Sequence, residues 1–222
     1  MANPTGGSVQ LCALRVAKLT LAGAPDYGAA NLYITDRQIR LSAEPEVSDG
    51  EDIELKNGCG ALIVDYRSPD AYRRMNVELE LAIPDPELTY LLTQNGKVLT
   101  LTGDTVGYDY PELFVPFPEI GVSVEAWSKN IVDGVLDGDF PYIRWVLPRV
   151  KNWRHGTREL DDGASVTTLT GHGYGNASWG NGPLDDWDAL AAESIDGPFA
   201  YALDTAIPEP TNTAGALVDP AA

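Results

Sequence analysis

The feature that most constrains the fold is a strict alternation of side-chain character between residues 74 and 83. Apolar side chains occupy every second position, with polar or small ones between them: Met75, Val77, Leu79, Leu81 and Ile83 against Arg74, Asn76, Glu78, Glu80 and Ala82. Successive side chains of a β-strand point to opposite faces, so this segment predicts a half-buried strand. One face would pack on a core, and the other would face water or a partner.

Weaker alternations of the same period recur along the chain, and Gly, Pro, Asn or Asp separates most of them. They predict further strands at 11–21, 30–35, 38–42, 62–66, 97–102, 121–127, 142–150 and 165–170. Many short strands joined by turns are typical of sandwiches and barrels. The sequence therefore predicts a mainly β protein, an antiparallel β-sandwich or barrel.

One segment predicts a helix that would pack on this sheet. Asp85 is a good N-cap and Pro86 suits the first helical position. The leucines at 88, 91 and 92 share one face, and Asn95-Gly96 supplies a stop. A helix this short is not stable alone, so it needs the sheet. A second, weaker helical pattern covers residues 185–193.

We expect one domain with an arm at each end. The domain would span residues 9–204, between an N-terminal arm of residues 1–8 and an extended C-terminal arm of residues 205–222. The C-terminal arm contains Pro208, Pro210 and Pro220 and few large apolar side chains, a composition that disfavours packed secondary structure.

The net charge excludes several classes of partner. The 222 residues include 33 Asp or Glu and 15 Lys or Arg, which gives a formal net charge of −18. Holding nucleic acid by its phosphates, or an anionic membrane, needs a surplus of bases, so neither is expected. The first residues show no basic segment followed by an apolar one, so we expect no secretory signal. No apolar run is long enough to predict a membrane span.

The charges are also unevenly distributed. An acidic block comprises Glu44, Glu46, Asp49, Glu51, Asp52 and Glu54, and a basic stretch comprises Arg144, Arg149, Lys151, Arg154 and Arg158. Opposite patches on one chain favour self-association, with the basic stretch of one subunit against the acidic block of another. The alternative is a solvated surface on which charges cluster by chance.

Histidine and cysteine offer little for chemistry. His155 and His172 are the only histidines, and their spacing is not that of a metal site. Cys59 has no base nearby in sequence, and Cys12 is the only other cysteine, so we expect neither a nucleophile nor a disulfide scaffold.

Paired carboxylates and tryptophans leave two further alternatives. Asp161-Asp162 and Asp185-Asp186 could serve glycoside hydrolysis, but adjacent acids on a loop usually diverge. The five tryptophans could form a sugar-binding platform or pack in the core and at interfaces: Trp127, Trp145, Trp153, Trp179 and Trp187. We favour packing. The expectation is therefore a protein that is not an enzyme, with no catalytic residue, cofactor or metal.

Three stretches together resemble the major tail (tail tube) proteins of long, non-contractile-tailed (siphovirus-type) bacteriophages, particularly those infecting actinobacteria. They are residues 53–60 running into 64–67, residues 77–88, and residues 145–150 followed by the glycine-rich run 170–182 and Asp186-Trp187. The resemblance spans roughly residues 10–190 and depends on the order and spacing of the stretches. It leaves the two arms outside.

The resemblance implies a β-sandwich or barrel with one helix, assembled into hexameric rings that stack into a tube. The inner sheets would join into a channel for DNA ejection. Partners would be further copies of the chain, other tail proteins such as the tape measure, terminator and distal tail proteins, and viral DNA that passes without specific binding. The location would be the virion tail, after assembly in the host bacterial cytoplasm, with no membrane and no cofactor.

The same resemblance suggests a role for the acids. Either the acidic block at 44–54 or the strand face with Glu78 and Glu80 would line the bore or the seams between rings, and would repel DNA from the wall. Alternatives to a tube subunit are another phage structural protein, such as a tail-completion, connector or decoration subunit, or a carbohydrate- or receptor-binding module.

Overall fold

The computed structural model of the protein describes residues 7–26, 31–156, 166–184, 186–187, 195–205 and 207. The described residues form strands β1 Gly7–Lys18, β2 Leu32–Thr35, β3 Gln38–Ser48, β4 Asp52–Lys56, β5 Leu62–Arg67, β6 Ala71–Leu81, β7 Lys97–Leu101, β8 Asp104–Asp109, β9 Val122–Val132, β10 Val135–Leu136, β11 Tyr142–His155, β12 Thr167–Gly173 and β13 Ala200–Asp204. Helix α1 spans Pro86–Thr93, and a 3₁₀ turn spans Ala177–Trp179. The predicted mainly β, antiparallel fold with one short helix is confirmed.

Nine strands form one large antiparallel sheet. Its order is β2-β1-β9-β11-β12-β6-β3, with β10 also paired to β9 and β13 to β11. The strands β4 and β5 form a separate hairpin, and so do β7 and β8. The hairpins therefore extend from the sheet without adding to its ladder.

Strand β11 joins the two halves of the large sheet. Its residues 142–150 pair with β9, and its residues 150–155 pair with β12. An irregularity between Lys151 and Arg154, where Asn152 adopts a φ of 57°, marks the bend. The two halves enclose one core cluster, whose central members are Leu14, Val16, Val77, Leu79, Val124, Leu147, Trp153 and Leu169. Gly171 is required there, since a Cβ would lie 2.9 Å from the ring of Trp153.

Helix α1 closes one end of this core as the sequence predicts. The carboxylate of Asp85 accepts a hydrogen bond from the backbone N–H of Leu88 at 3.1 Å, and Pro86 occupies the first turn. The same carboxylate accepts a bond from the hydroxyl of buried Tyr33 at 2.5 Å. The helix ends one residue before the predicted stop, because Gln94 takes the left-handed conformation with a φ of 49°.

Several elements were not predicted. The sequence predicts strands at 38–42 and 62–66 with none between them, whereas β3 continues to Ser48 and β4 follows it. Strands β8, β10 and β13 also carry no clear alternation. The helix predicted at 185–193 lies outside the described residues except for Asp186 and Trp187. Trp179 and Trp187 are buried beside Val146, as the packing interpretation predicts.

Candidate assembly surfaces

The four adjacent strands β3, β6, β12 and β11 present one wholly polar face opposite the core. Alternate residues of β6 are buried at Met75, Val77, Leu79 and Leu81, so the residues between them face outward. The register places outward side chains in two rows across the strands: Ser42, Glu78, Thr170 and Arg154, then Glu44, Asn76, His172 and Lys151. We call this surface the polar face.

Ion pairs compensate most carboxylates of the polar face. One guanidinium nitrogen of Arg40 lies 3.4 Å from a carboxylate oxygen of Glu80 and 3.9 Å from one of Glu78. Arg74 donates to Glu46 at 2.7 Å. This hydrogen bond is the main reason that the pKa of Glu46 lies below its usual range. The face is therefore mixed in charge, not purely acidic.

The second half of β11 carries three bases that form no ion pair with a described carboxylate. No described carboxylate lies within 4.0 Å of the side-chain nitrogens of Arg149, Lys151 or Arg154. Burial, and then the charge of Arg149, lowers the pKa of Lys151. These cations are thus uncompensated within the described chain, as expected for a surface that meets an acidic partner.

The acidic block predicted at 44–54 is divided by the fold. Glu44 and Glu46 lie on β3 and share the polar face with Glu78 and Glu80. The remaining members are exposed farther along the chain, in the connection that follows β3 and on β4: Asp49, Glu51, Asp52 and Glu54. The sequence-based grouping therefore covers two surfaces.

The hairpin of β4 and β5 projects with an uncovered apolar face. Its cross-strand pairs are Ile53 with Tyr66 and Leu55 with Val64, and all four side chains are at least 40% exposed. A two-stranded hairpin with an apolar face in water is marginally stable at best. This face therefore needs cover from another surface.

The basic stretch requires one correction. Arg144 does not contribute to an exposed strip, because its side chain is 1% exposed and pairs with Glu125 and Asp186. Arg144 lies on the first half of β11, which is covered by the segment that contains Trp187. Its guanidinium group contacts the ring of Trp187. Arg158 lies outside the described residues. An association role for the other bases stays a prediction.

Arg144 belongs to a buried ion cluster that the sequence analysis missed. Arg15 on β1 and Glu125 on β9 are both fully buried and lie opposite each other in the sheet register. Both guanidinium groups bind Glu125 and Asp186, and both lie over the ring of Trp127 at 5.1 Å. Arg15, Arg144 and Glu125 are thus buried together, and Asp186, whose side chain is 39% exposed, balances the remaining positive charge from the surface side.

The cluster shifts the pKa values of its members in a consistent direction. Burial alone would raise the pKa of Glu125, but the charges of Arg144 and Arg15 outweigh it and hold the pKa below its usual range. The pKa of Asp186 is lowered for the same reason, with burial opposed by Arg15 and Arg144. The cluster therefore links strands β1, β9 and β11 to the segment that contains Asp186 and Trp187.

One sequence signal could have indicated the cluster. Arg15 stands between Leu14 and Val16, and Glu125 between Val124 and Ala126. A lone charge within an apolar strand is rarely buried without an opposite partner. Two such charges of opposite sign therefore predict a buried pair, although not which strands are neighbours.

The histidines and Cys59 occupy separate places. The Nδ1 atom of His172 lies 3.1 Å from Oδ1 of Asn76 on the polar face, whereas His155 packs against Tyr108 and Tyr110. Cys59 is exposed in the turn between β4 and β5. In the described part of the chain, no three His, Cys, Asp or Glu residues form a group that could hold a metal. Asp161, Asp162 and Asp185 lie outside that part.

The described helices include none that is long and apolar enough to cross a membrane. No family model matches the chain, and no curated protein does.

Solved structures give weak matches. One is the sheath/tube terminator of an extracellular contractile injection system in the extended state, with 14% identity, 72% of this chain and 87% of that chain covered, and a TM-score of 0.29. Another is the sheath-tube complex of such a system (13% identity, 74% and 86% covered, TM-score 0.28). A third is the baseplate of the anti-feeding prophage (15%, 77% and 92%, TM-score 0.30). At TM-scores this low, the likenesses carry no argument about this chain.

Proposed function

We propose that the protein is a structural subunit of a phage tail that assembles into stacked six-membered rings and so forms the tail tube through which DNA is ejected. The proposal starts from the resemblance of three stretches to tail tube proteins: residues 53–60 with 64–67, residues 77–88, and residues 145–150 with 170–182 and Asp186-Trp187. The observation that carries it further is the four-stranded segment β3-β6-β12-β11, which has a core on one side and the polar face on the other.

The edges of this four-stranded segment suit a ring. Among the described strands, β3 pairs only with β6, and residues 151–154 of β11 pair only with β12. Unpaired strand edges are templates for pairing with another chain. If the β11 edge of one subunit meets the β3 edge of the next, the contact is head-to-tail and can close into a ring.

The charges at the two edges are complementary. The β11 edge carries Lys151 and Arg154, which form no ion pair with a described acid, and the β3 edge carries Glu44, which forms none with a described base. Opposite charges at the two edges steer association and fix the order of subunits. This is the predicted docking of bases on acids, with Glu44 as the acidic partner.

The polar face would then line the bore. Arg40 and Arg74 are held by carboxylates, so they are less available to phosphates than free cations would be. The total charge of −18 per subunit disfavours retention of DNA. The mechanism is mechanical and electrostatic: the wall supplies a hydrated polar surface that does not grip the duplex.

The projecting hairpin of β4 and β5 would provide the contact between rings. Its apolar face, with Ile53 and Tyr66, would be buried on the adjacent ring, while its acids remain at the seam. Burial of this face accounts for a hairpin that could not be stable if left in water.

Electron microscopy of charge-reversal variants tests the proposal. The purified wild type should form stacked rings in negative stain. Lys151→Glu and Glu44→Lys should each abolish rings, and the two changes together should restore them, because the pair regains opposite signs. Lys97→Glu and Glu112→Lys, which reverse exposed charges elsewhere, serve as matched controls and should leave rings intact. Wild-type protein that stays monomeric or trimeric at all concentrations would contradict the proposal.

A further inference from the structure

One side of the hydrophobic core is open between β1 and β3. Among the described residues, the partly buried hydrophobic side chains that pack on the main core all line a single groove: Leu11, Leu41, Ala43, Trp145 and Phe199. The groove has a volume of about 370 Å³, and Ile39 at its rim is 50% exposed. Elsewhere the cluster is buried, so this groove is where the core lacks a cover.

Two strand edges without a strand partner in the described chain border the groove. Strand β2 pairs with β1 only at residues 14–17, which leaves residues 7–13 of β1 paired with β9 alone. Strand β3 pairs with β6 alone. At the start of β3, the side-chain N–H group of Gln38 donates to the carbonyl oxygen of Leu11 on β1 at 3.5 Å. Free N–H and C=O groups beside an apolar groove suit an added extended strand.

We propose that residues 208–222 of the same chain occupy this groove as an extended strand. The place where the chain leaves the sheet supports this choice. Strand β13 ends at Asp204, opposite Tyr142 of β11. Tyr142 lies opposite Lys129 of β9, and Lys129 lies opposite Val9 of β1. The chain therefore leaves the sheet at the end where the groove opens, about 14 Å away across three strand spacings.

Length and composition fit the same occupant. Residues 208–222 can span about 50 Å when extended, whereas residues 7–13 of β1 cover about 20 Å. The segment can cross the sheet and still add a strand along the groove. Its stretch 214–218 reads Ala-Gly-Ala-Leu-Val, with small and aliphatic side chains that match a shallow apolar floor. The inference does not depend on the tube function.

Hydrogen–deuterium exchange of the full chain tests the inference. Backbone amides in residues 7–13 and 38–43 should be protected in the wild type. The double variant Leu217→Asp/Val218→Asp should exchange there at least about tenfold faster, because a charged segment cannot remain on an apolar floor. The matched control Ala221→Asp/Ala222→Asp adds the same charge beyond the apolar stretch and should keep the protection.

A change in the groove provides the reciprocal test. Ala43→Arg should remove protection from residues 7–13, whereas Ala61→Arg, in the exposed turn of the β4–β5 hairpin, should not. Equal exchange in the wild type and the Leu217→Asp/Val218→Asp variant would overturn the proposal. So would protection that disappears when residues 2–6 are deleted, since the N-terminus would then be the occupant. Protection of residues 7–13 that rises with protein concentration would overturn it in favour of a second copy; residues 38–43 do not enter this comparison, because ring contacts at the β3 edge would protect them as well.

Discussion

Arg15 and Glu125 face each other across neighbouring strands, and both side chains are completely buried. The guanidinium Nη2 donates to the carboxylate at 2.9 Å, although the two residues are 110 positions apart in the sequence. A buried charge that loses its partner is left without solvation, which costs far more than the loss of a surface pair. Stability should therefore depend strongly on this contact.

The variant Glu125→Gln should lower the free energy of unfolding by about 3–5 kcal/mol, because Arg15 and Arg144 would remain buried beside a neutral side chain. Urea denaturation followed by tryptophan fluorescence measures the loss. Glu80→Gln is the matched control: its partner Arg40 is 59% exposed, so the change should cost at most about 1 kcal/mol. Equal losses in the two variants would contradict a central role for the cluster.

Acid should destabilise the protein through the same cluster. The folded-state pKa values of Glu125 and Asp186 are lowered, so their contribution to stability is fully present above the ordinary carboxyl pKa of about 4. It is lost as the pH falls through the lower, folded-state pKa. Urea midpoints measured from pH 7 to pH 2 should therefore fall more steeply for the wild type than for Glu125→Gln. Parallel curves would show that other carboxyl groups dominate.

Strand β13 should depend on one buried hydrogen bond. The indole N–H of Trp127 donates to a carboxylate oxygen of Asp204 at 2.8 Å, at the end of β13. Asp204→Ala leaves this donor unsatisfied and should cost about 1–3 kcal/mol. In hydrogen–deuterium exchange, the backbone amides of residues 200–204 should lose protection before those of β1 or β9 do. Uniform faster exchange across the sheet would contradict a local anchor.

Helix α1 should depend on Asp85 more than on an ordinary N-cap. Its carboxylate accepts bonds from both the Leu88 backbone and the Tyr33 hydroxyl. Asp85→Ala should therefore cost about 2–3 kcal/mol, beyond the typical effect of a cap alone. Tyr33→Phe removes only the second bond and is the matched comparison. If both variants lose the same amount, the cap contributes nothing measurable.

Reversal of charge on the polar face tests the bore. If this face lines the channel, Glu78→Lys/Glu80→Lys should slow DNA ejection from virions, since the added ammonium groups can bind phosphates. Tails should still assemble, because neither residue lies on a free strand edge. Ejection can be followed with a DNA-binding dye after a receptor trigger. Unchanged kinetics in assembled virions would place this face outside the bore.

The ionisation of the buried Tyr33 side chain at high pH provides a further test. Burial, and then the hydrogen bond to Asp85, raises the pKa of the Tyr33 phenol. An alkaline titration followed by ultraviolet absorbance should show a late tyrosine ionisation to which Tyr33 contributes. Its absence from the Tyr33→Phe titration would assign it.

The sequence by itself determined the secondary structure of most of the chain. Alternation at 74–83 predicts β6, and the cap residues Asp85 and Pro86 predict the start of α1, because both signals depend only on neighbours along the chain. The strands that were missed are short or weakly alternating. In β8, for example, Gly107 interrupts the pattern, and the pairing with β7 supplies what local propensity does not.

Only the tertiary structure decided which polar side chains are exposed. Arg144 and Lys151 are on the same strand and within the same predicted basic stretch, yet Arg144 is buried and Lys151 is not. The difference arises because both faces of the first half of β11 are covered, one by the core and the other by the segment with Asp186 and Trp187. Such cover comes from residues distant in sequence, and strand periodicity specifies which side chains share a face but not what lies against it.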